Sequence, residues 1–161
     1  MKILLPTDFS KLSKVAVHYA AKLARKLNAE IILLNAVFID APPRAQSALK
    51  TSQILDAIVE NVTLDFISLI KEIKQETGSR INMSYKIIKG YPVKDVVETF
   101  ASHNDIDLII MGTKGASGLK KVLLGSNAAA VISNSSIPVI TVPEHARFKH
   151  IKHIVYPSDL L

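Results

Sequence analysis

Residues Lys2–Val37 read KILLPTDFSKLSKVAVHYAAKLARKLNAEIILLNAV, and the apolar period changes twice within them. Lys2–Pro6 is a compact apolar run of the kind that forms a buried strand. From Ser10, a candidate N-cap, the pattern relaxes to helical spacing, with Ala16, Ala20, Leu23 and Leu27 on one face. Glu30–Val37 returns to an unbroken apolar run. Strands that are apolar on both sides need cover on both faces, which is the mark of a parallel sheet wrapped by helices.

The same alternation continues to residue 142. Asp40–Lys50, with Pro42 and Pro43, reads as a loop. A helix follows from about Ser52 to Thr77, carrying Ile54, Ile58, Val62, Phe66, Ile70 and Ile73, and Gly78 fits its C′ position. Ile81–Ile88 is a third strand, ended by Gly90. Pro92 fits N1 of a helix reaching about His103. Asp107–Met111 is a fourth strand, followed by a glycine-rich stretch to Gly125 and a short helix from Ser126 to about Asn134. Ile137–Val142 is a fifth strand, and Pro138 and Pro143 mark it as an edge. Right-handed crossovers then lead to an α/β fold: an open, doubly wound, five-stranded parallel sheet with helices on both faces.

Composition narrows the function classes. In 161 residues there is no cysteine, which excludes disulfides, thiolate metal sites and cysteine nucleophiles, and fits a cytoplasmic setting. Ile3–Leu5 before Pro6 is too short for a secretory core, and runs such as Ile31–Leu34 fall far below the roughly 18 residues of a spanning helix, so no membrane is expected. Twenty basic against fourteen acidic residues give a net charge of +6, which favours anionic partners. Nucleic acid is not expected among them, because no aromatics interleave with the basic residues as on a base-stacking platform.

In open parallel sheets ligands bind beyond the carboxyl ends of the strands, where the strand order reverses. Two loops stand out there: Pro6-Thr7-Asp8, and the stretch from Met111-Gly112 to Gly125-Ser126-Asn127. Four of the six glycines lie between 112 and 125. Glycines let backbone N–H groups approach an anion, and Gly125-Ser126-Asn127 opens a helix whose free N–H groups favour phosphate. A plain glycine-rich connection with Ser126 as an ordinary N-cap is the alternative. Neither a Walker A loop nor G-x-G-x-x-G is present. Lys114, Lys120 and Lys121 are either phosphate partners or a solvated face, and Asp8 alone could serve the dipole of the first helix. His145, His150 and His153 fall in a basic linker, where no metal site is expected. His18 and His103 fall on helices and are assigned no chemistry. No catalytic residue emerges, since neither a Ser/His/Asp context nor a nucleophile elbow can be found.

The spacing Gly112-x2-Gly115-x9-Gly125-Ser126, with Pro6-Thr7-Asp8 after the first strand, resembles the nucleotide-binding members of the universal stress protein family. The likeness spans residues 1–143. It implies the strand order 3-2-1-4-5 and an adenine nucleotide ligand, ATP or else ADP or AMP. On that resemblance Gly112, Gly115, Gly125 and Ser126 hold phosphates and ribose, within a site that also takes in Pro6, Thr7 and Met111. Asp8 accepts from ribose hydroxyls or helps place Mg2+, and Ala36 and Val37 line the adenine pocket with backbone groups. Asn127 joins the loop as a departure from the family's usual small or β-branched residue. Two function classes follow. One is a nucleotide-binding stress-response sensor or interaction module with at most slow ATP hydrolysis. The other is an ATP-consuming transferase or ligase on the same scaffold, which needs a base or substrate insertion not evident in the chain.

His153–Leu161 (HIVYPSDLL) echoes Lys2–Ser10 (KILLPTDFS), so 153–161 reads as the first strand of a second, similar domain, with 144–152 as a basic linker. With that domain incomplete the tail is expected to dock on a neighbouring surface and to form no second nucleotide site. The apolar strand at 137–142 is expected to pair, in a homodimer or with a second domain.

Overall fold

The computed structural model describes residues 1–39, 48–78, 81–113 and 124–149, with 152, 153 and 155; of 48–51 it describes only the backbone. Nine elements follow in order: β1 (Lys2–Pro6), α1 (Lys11–Leu27), β2 (Glu30–Val37), α2 (Ala48–Thr77), β3 (Met83–Lys89), α3 (Val93–His103), β4 (Leu108–Gly112), α4 (Ser126–Asn134) and β5 (Val139–Val142). The five strands form one parallel sheet in the order β3-β2-β1-β4-β5, the order implied by the resemblance. β1 sits at its centre, with Ile3 opposite Ile31 of β2 and Leu108 of β4.

Alternate side chains of each strand feed two cores. Ile3, Leu5, Ile31, Leu33 and Ile110 pack under α1 and α2 with Phe66, Leu69 and Ile73. Leu4, Leu34, Ile109 and Met111 pack under α3 and α4 with Val96, Val97, Ala128 and Val131. The sheet is therefore doubly wound. α1 buries Ser13, Ala16, Val17, Ala20, Ala21 and Ala24, a face of small residues that lets helix and strand backbones approach closely. Ser10 is its N-cap as expected: the Oγ accepts from the Ser13 N–H at 3.2 Å.

Several boundaries differ from expectation for local reasons. Leu27 does not join the α1 face. It is the last helical residue, where Asn28 turns the chain with φ 50, and it is 46% exposed. α2 starts at Ala48, not Ser52, and Ile54 on its expected face is exposed. A helix of 30 residues is about 45 Å long, whereas the eight residues of β2 span about 26 Å. The start of α2 therefore overhangs the sheet, and among its described side chains the buried ones, Phe66, Leu69, Ile73 and Thr77, fall in the second half. Gly78, with φ 80, ends it as expected, its N–H donating to the Lys74 carbonyl. β3 starts at Met83, two residues later than expected, and runs through Lys89. β4 is shifted one residue forward. Pro92 is the N-cap of α3 (φ −61, ψ 146) and not its first residue. β5 begins at Val139; Pro138 has no N–H to add to the ladder, although its carbonyl accepts from the Ile109 N–H.

The segment after β5 contacts the first core where it is described. Ala146 packs on the first core, and Phe148 meets Tyr19 of α1 edge to face at 5.2 Å with Lys26 Nζ above its ring. Of the loop expected at 40–50, residues 48–50 belong to α2, while 40–47 and most of the repeated strand at 153–161 lie outside the described residues. Val155 is described and is 86% exposed.

Candidate functional site

β1 ends at Pro6, and the next residues turn away from the sheet under several constraints. The Thr7 N–H donates to the Leu34 carbonyl at 2.9 Å, while the Thr7 carbonyl accepts from Asn35 Nδ2 at 2.8 Å. Thr7 Oγ1 accepts from the Phe9 N–H at 3.1 Å and lies 3.0 Å from Ser13 Oγ. Because the Ser13 hydroxyl donates to the Ser10 carbonyl, Thr7 is the donor of this pair, and each proton then has one acceptor. Phe9 takes a left-handed φ of 59, unusual for a bulky residue. The Thr7 hydroxyl and the edge-to-face contact with Phe66 at 4.8 Å hold it there. Asp8 is exposed at the apex, and its Oδ1 accepts from the Ser10 N–H.

Opposite this turn, β4 ends at Gly112 and α4 begins. Gly125 is the N-cap of α4, with φ −62 and ψ 150, and among the described residues no side chain caps the first turn. Ser126, the alternative cap considered from sequence, is the first helical residue. The Gly125 N–H donates to the Thr113 carbonyl at 2.7 Å, which ties the start of α4 to the end of β4. Nothing acidic occupies the first turn. The N–H groups of Ser126, Asn127 and Ala128 are thus left as donors at the positive end of a helix dipole.

The two features share one cleft of about 460 Å3 at the carboxyl ends of β1 and β4, a volume in the usual range for small-molecule sites. Pro6, Thr7, Asp8, Ala36, Met111, Gly112, Gly125, Ser126 and Asn127 all line it. Val37 does not: its side chain is buried and its carbonyl accepts from the Gly90 N–H. In a parallel ladder backbone groups alternate in direction along a strand. Since Leu34 serves β1 and Val37 serves the β3 side, the Ala36 backbone is directed past the end of β1 into the cleft. Gly115, like Lys114, Lys120 and Lys121, lies in 114–123, outside the described residues.

Six further residues line the cleft that sequence reading did not single out: Ser13, Asn35, Phe38, Pro92, Val93 and Ala128. One signal was present, since Asn35 is the only amide in the apolar run EIILLNAV. Its Nδ2 is spent on Thr7, which leaves Oδ1 as its acceptor. Phe38 is 47% exposed, and with Pro92 and Val93 it makes one end of the cleft apolar. The other end carries Asp8, Ser126, Asn127 and the donors of α4. Such an arrangement suits a flat apolar ring system joined through hydroxyls to an anion.

The sequence model of the universal stress protein family matches residues 1–143. The universal stress protein MJ0531 of Methanocaldococcus jannaschii is 32% identical over 141 residues, covering 88% of this chain and 81% of the relative. Among solved structures, the universal stress protein UspA from Lactobacillus plantarum superposes with a TM-score of 0.73 at 26% identity, covering 88% of this chain and 97% of the other. A universal stress protein from Archaeoglobus fulgidus in complex with dAMP superposes with a TM-score of 0.59, covering 88% and 96%; at 20% identity that likeness is one of fold.

Proposed function

The chain belongs to the universal stress protein family, and we propose that it is an adenine-nucleotide-binding module of that family, acting as a stress-response sensor or interaction protein. The observation that carries this reading is the uncapped start of α4, which opens onto the same cleft as Asp8 and the backbone of Ala36. Phosphates sit on the Gly125–Ala128 donors, where the helix dipole and free N–H groups both favour negative charge. Ribose hydroxyls donate to Asp8. The adenine lies toward Phe38, Pro92 and Val93, its polar edge meeting the Ala36 backbone. A protein with this fold from Archaeoglobus fulgidus is known in complex with dAMP. Di- and triphosphates are preferred over AMP because additional phosphates add charge beside the α4 donors, with Mg2+ shared between them and Asp8. Hydrolysis, if measured, runs well below the roughly 1–10³ s⁻¹ of dedicated enzymes.

Calorimetric titration of the full chain tests this. Saturable binding of ATP is expected, about tenfold or more tighter than AMP, and Asp8→Ala weakens it and removes its dependence on Mg2+. No saturable heat with ATP, ADP or AMP at millimolar concentration overturns the reading.

Assembly is part of the same proposal. Among the described residues β5 pairs only with β4, which leaves its outer backbone groups as a parallel edge there. We take this edge as the homodimer surface, or as the pairing surface for a second domain opened by 153–161. Light scattering is expected to give twice the chain mass of 17.6 kDa; a monomer at high micromolar concentration counts against it.

A further inference from the structure

A second cluster of ligand atoms lies away from the cleft, between α1 and α2. His18 of α1 stands between Glu72 and Glu76 of α2. Nε2 is 3.3 Å from a Glu72 carboxylate oxygen, and Nδ1 is 2.8 Å from Glu76 Oε2. One ligand atom from each of the three side chains lies within 4.8 Å of the other two. We propose that His18, Glu72 and Glu76 form a binding site for a borderline divalent transition-metal ion of the Zn2+ type, which clips α1 to α2.

Three features support this assignment. The donor set is one imidazole and two carboxylates, which suits Zn2+ and its neighbours; Mg2+ and Ca2+ prefer oxygen alone. The spacing is right for chelation: Glu72 and Glu76 are four residues apart, on one helix face, with the imidazole supplied from the facing helix. Donor atoms about 2.0–2.2 Å from one tetrahedral ion stand roughly 3.3 Å apart, so the widest separation closes by rotation of two half-exposed glutamates. Charge is the third feature. Among the described residues neither glutamate pairs with a lysine or arginine, and even a protonated His18 leaves the trio at −1. A divalent ion with neutral imidazole brings it to zero. Three protein ligands leave a coordination position for water.

The ion would take the imidazole lone pair of His18 as one of its ligands. The test is a zinc titration of the full chain by calorimetry at pH 7.5, with Co2+ as the spectroscopic probe. Wild type is expected to hold one ion at micromolar affinity, to show visible Co2+ bands of four-coordinate intensity, and to gain thermal stability with zinc. His18→Ala is expected to lose at least tenfold in affinity and all of the zinc-dependent rise in Tm. Glu72→Gln and Glu76→Gln each weaken binding while leaving the metal-free fold intact. Absence of saturable binding in wild type overturns the proposal. So does binding that persists in His18→Ala and is lost when His145 and His153 are replaced together. ATP affinity is read in the same variants and is expected to be unchanged, since the cluster lies outside the cleft.

Discussion

Gly125→Val is expected to lower the affinity for ATP by about 100-fold or more. Gly125 closes the base of its loop through the Thr113 carbonyl and introduces three uncapped N–H groups. A branched side chain at this position intrudes on the space an anion needs to reach them. Hydrogen bonds to a charged partner contribute about 1.5–3 kcal/mol each, and a loss of about 3 kcal/mol corresponds to roughly 100-fold in Kd. Folding is a separate matter. With φ −62 and ψ 150 the backbone is open to any residue, so only the poor capping of valine costs stability, about 1 kcal/mol. Gly125→Ser separates the two effects more sharply. Its hydroxyl caps α4 and stabilises it by a few tenths of a kcal/mol, yet takes up a donor that a phosphate would use. Calorimetry and urea unfolding on both variants check this; unchanged ATP affinity in either one removes α4 from the site.

Phe66→Ala is expected to cost about 3–5 kcal/mol of folding stability, from lost burial and the cavity left behind. Phe66 is fully buried, stacks on Tyr85 of β3 at 4.8 Å with an interplanar angle of 18°, and receives the edge of Phe9 at 4.8 Å. It joins α2, β3 and the turn after β1 in one aromatic cluster. Against a usual total of about 5–15 kcal/mol this is a large share, visible as a shift of the urea midpoint. The consequence reaches the cleft. Phe9 keeps its left-handed backbone partly by resting on Phe66, and Asp8 precedes it directly. ATP affinity should therefore fall along with stability, whereas Leu69→Ala, in the same core but without the Phe9 contact, should lower stability alone.

The doubly wound sheet was legible because β1, β2 and β4 are apolar on both faces and the helices carry apolar residues at helical spacing. Runs such as ILL and IILL leave no polar face for solvent, and Ser10 marked the start of α1 by the chemistry that caps it. The limits of α2 were not legible, since helical periodicity persists through Ile54 although no sheet lies beneath the overhang. The cleft was half legible. Turn and glycine signals pointed to both of its walls, and the ladder's alternation shows why Ala36 and not Val37 turns its backbone inward. Ser13, Phe38, Pro92 and Val93 reach the cleft only through tertiary placement, from α1, the residue after β2 and the start of α3. His18 carried no local signal, because its two carboxylate partners stand more than fifty positions away in the chain.

The position of β1 bears on how the chain leaves the ribosome. Its register sets Ile3 opposite Ile31 on one side and opposite Leu108 on the other. The first partner follows almost at once. The second is 105 residues further on, which at about 5–20 residues per second is a delay of roughly 5–20 s. During that interval β1, β2 and β3 can assemble with α1 and α2, while the β4 side of β1 keeps its N–H and C=O groups unpaired and Leu4 lacks the α3 and α4 cover. A nascent chain in this state offers a strand edge bordered by bare apolar surface. β1 is thus the first strand of this sheet to be made, yet it gains its second neighbour only when β4 emerges.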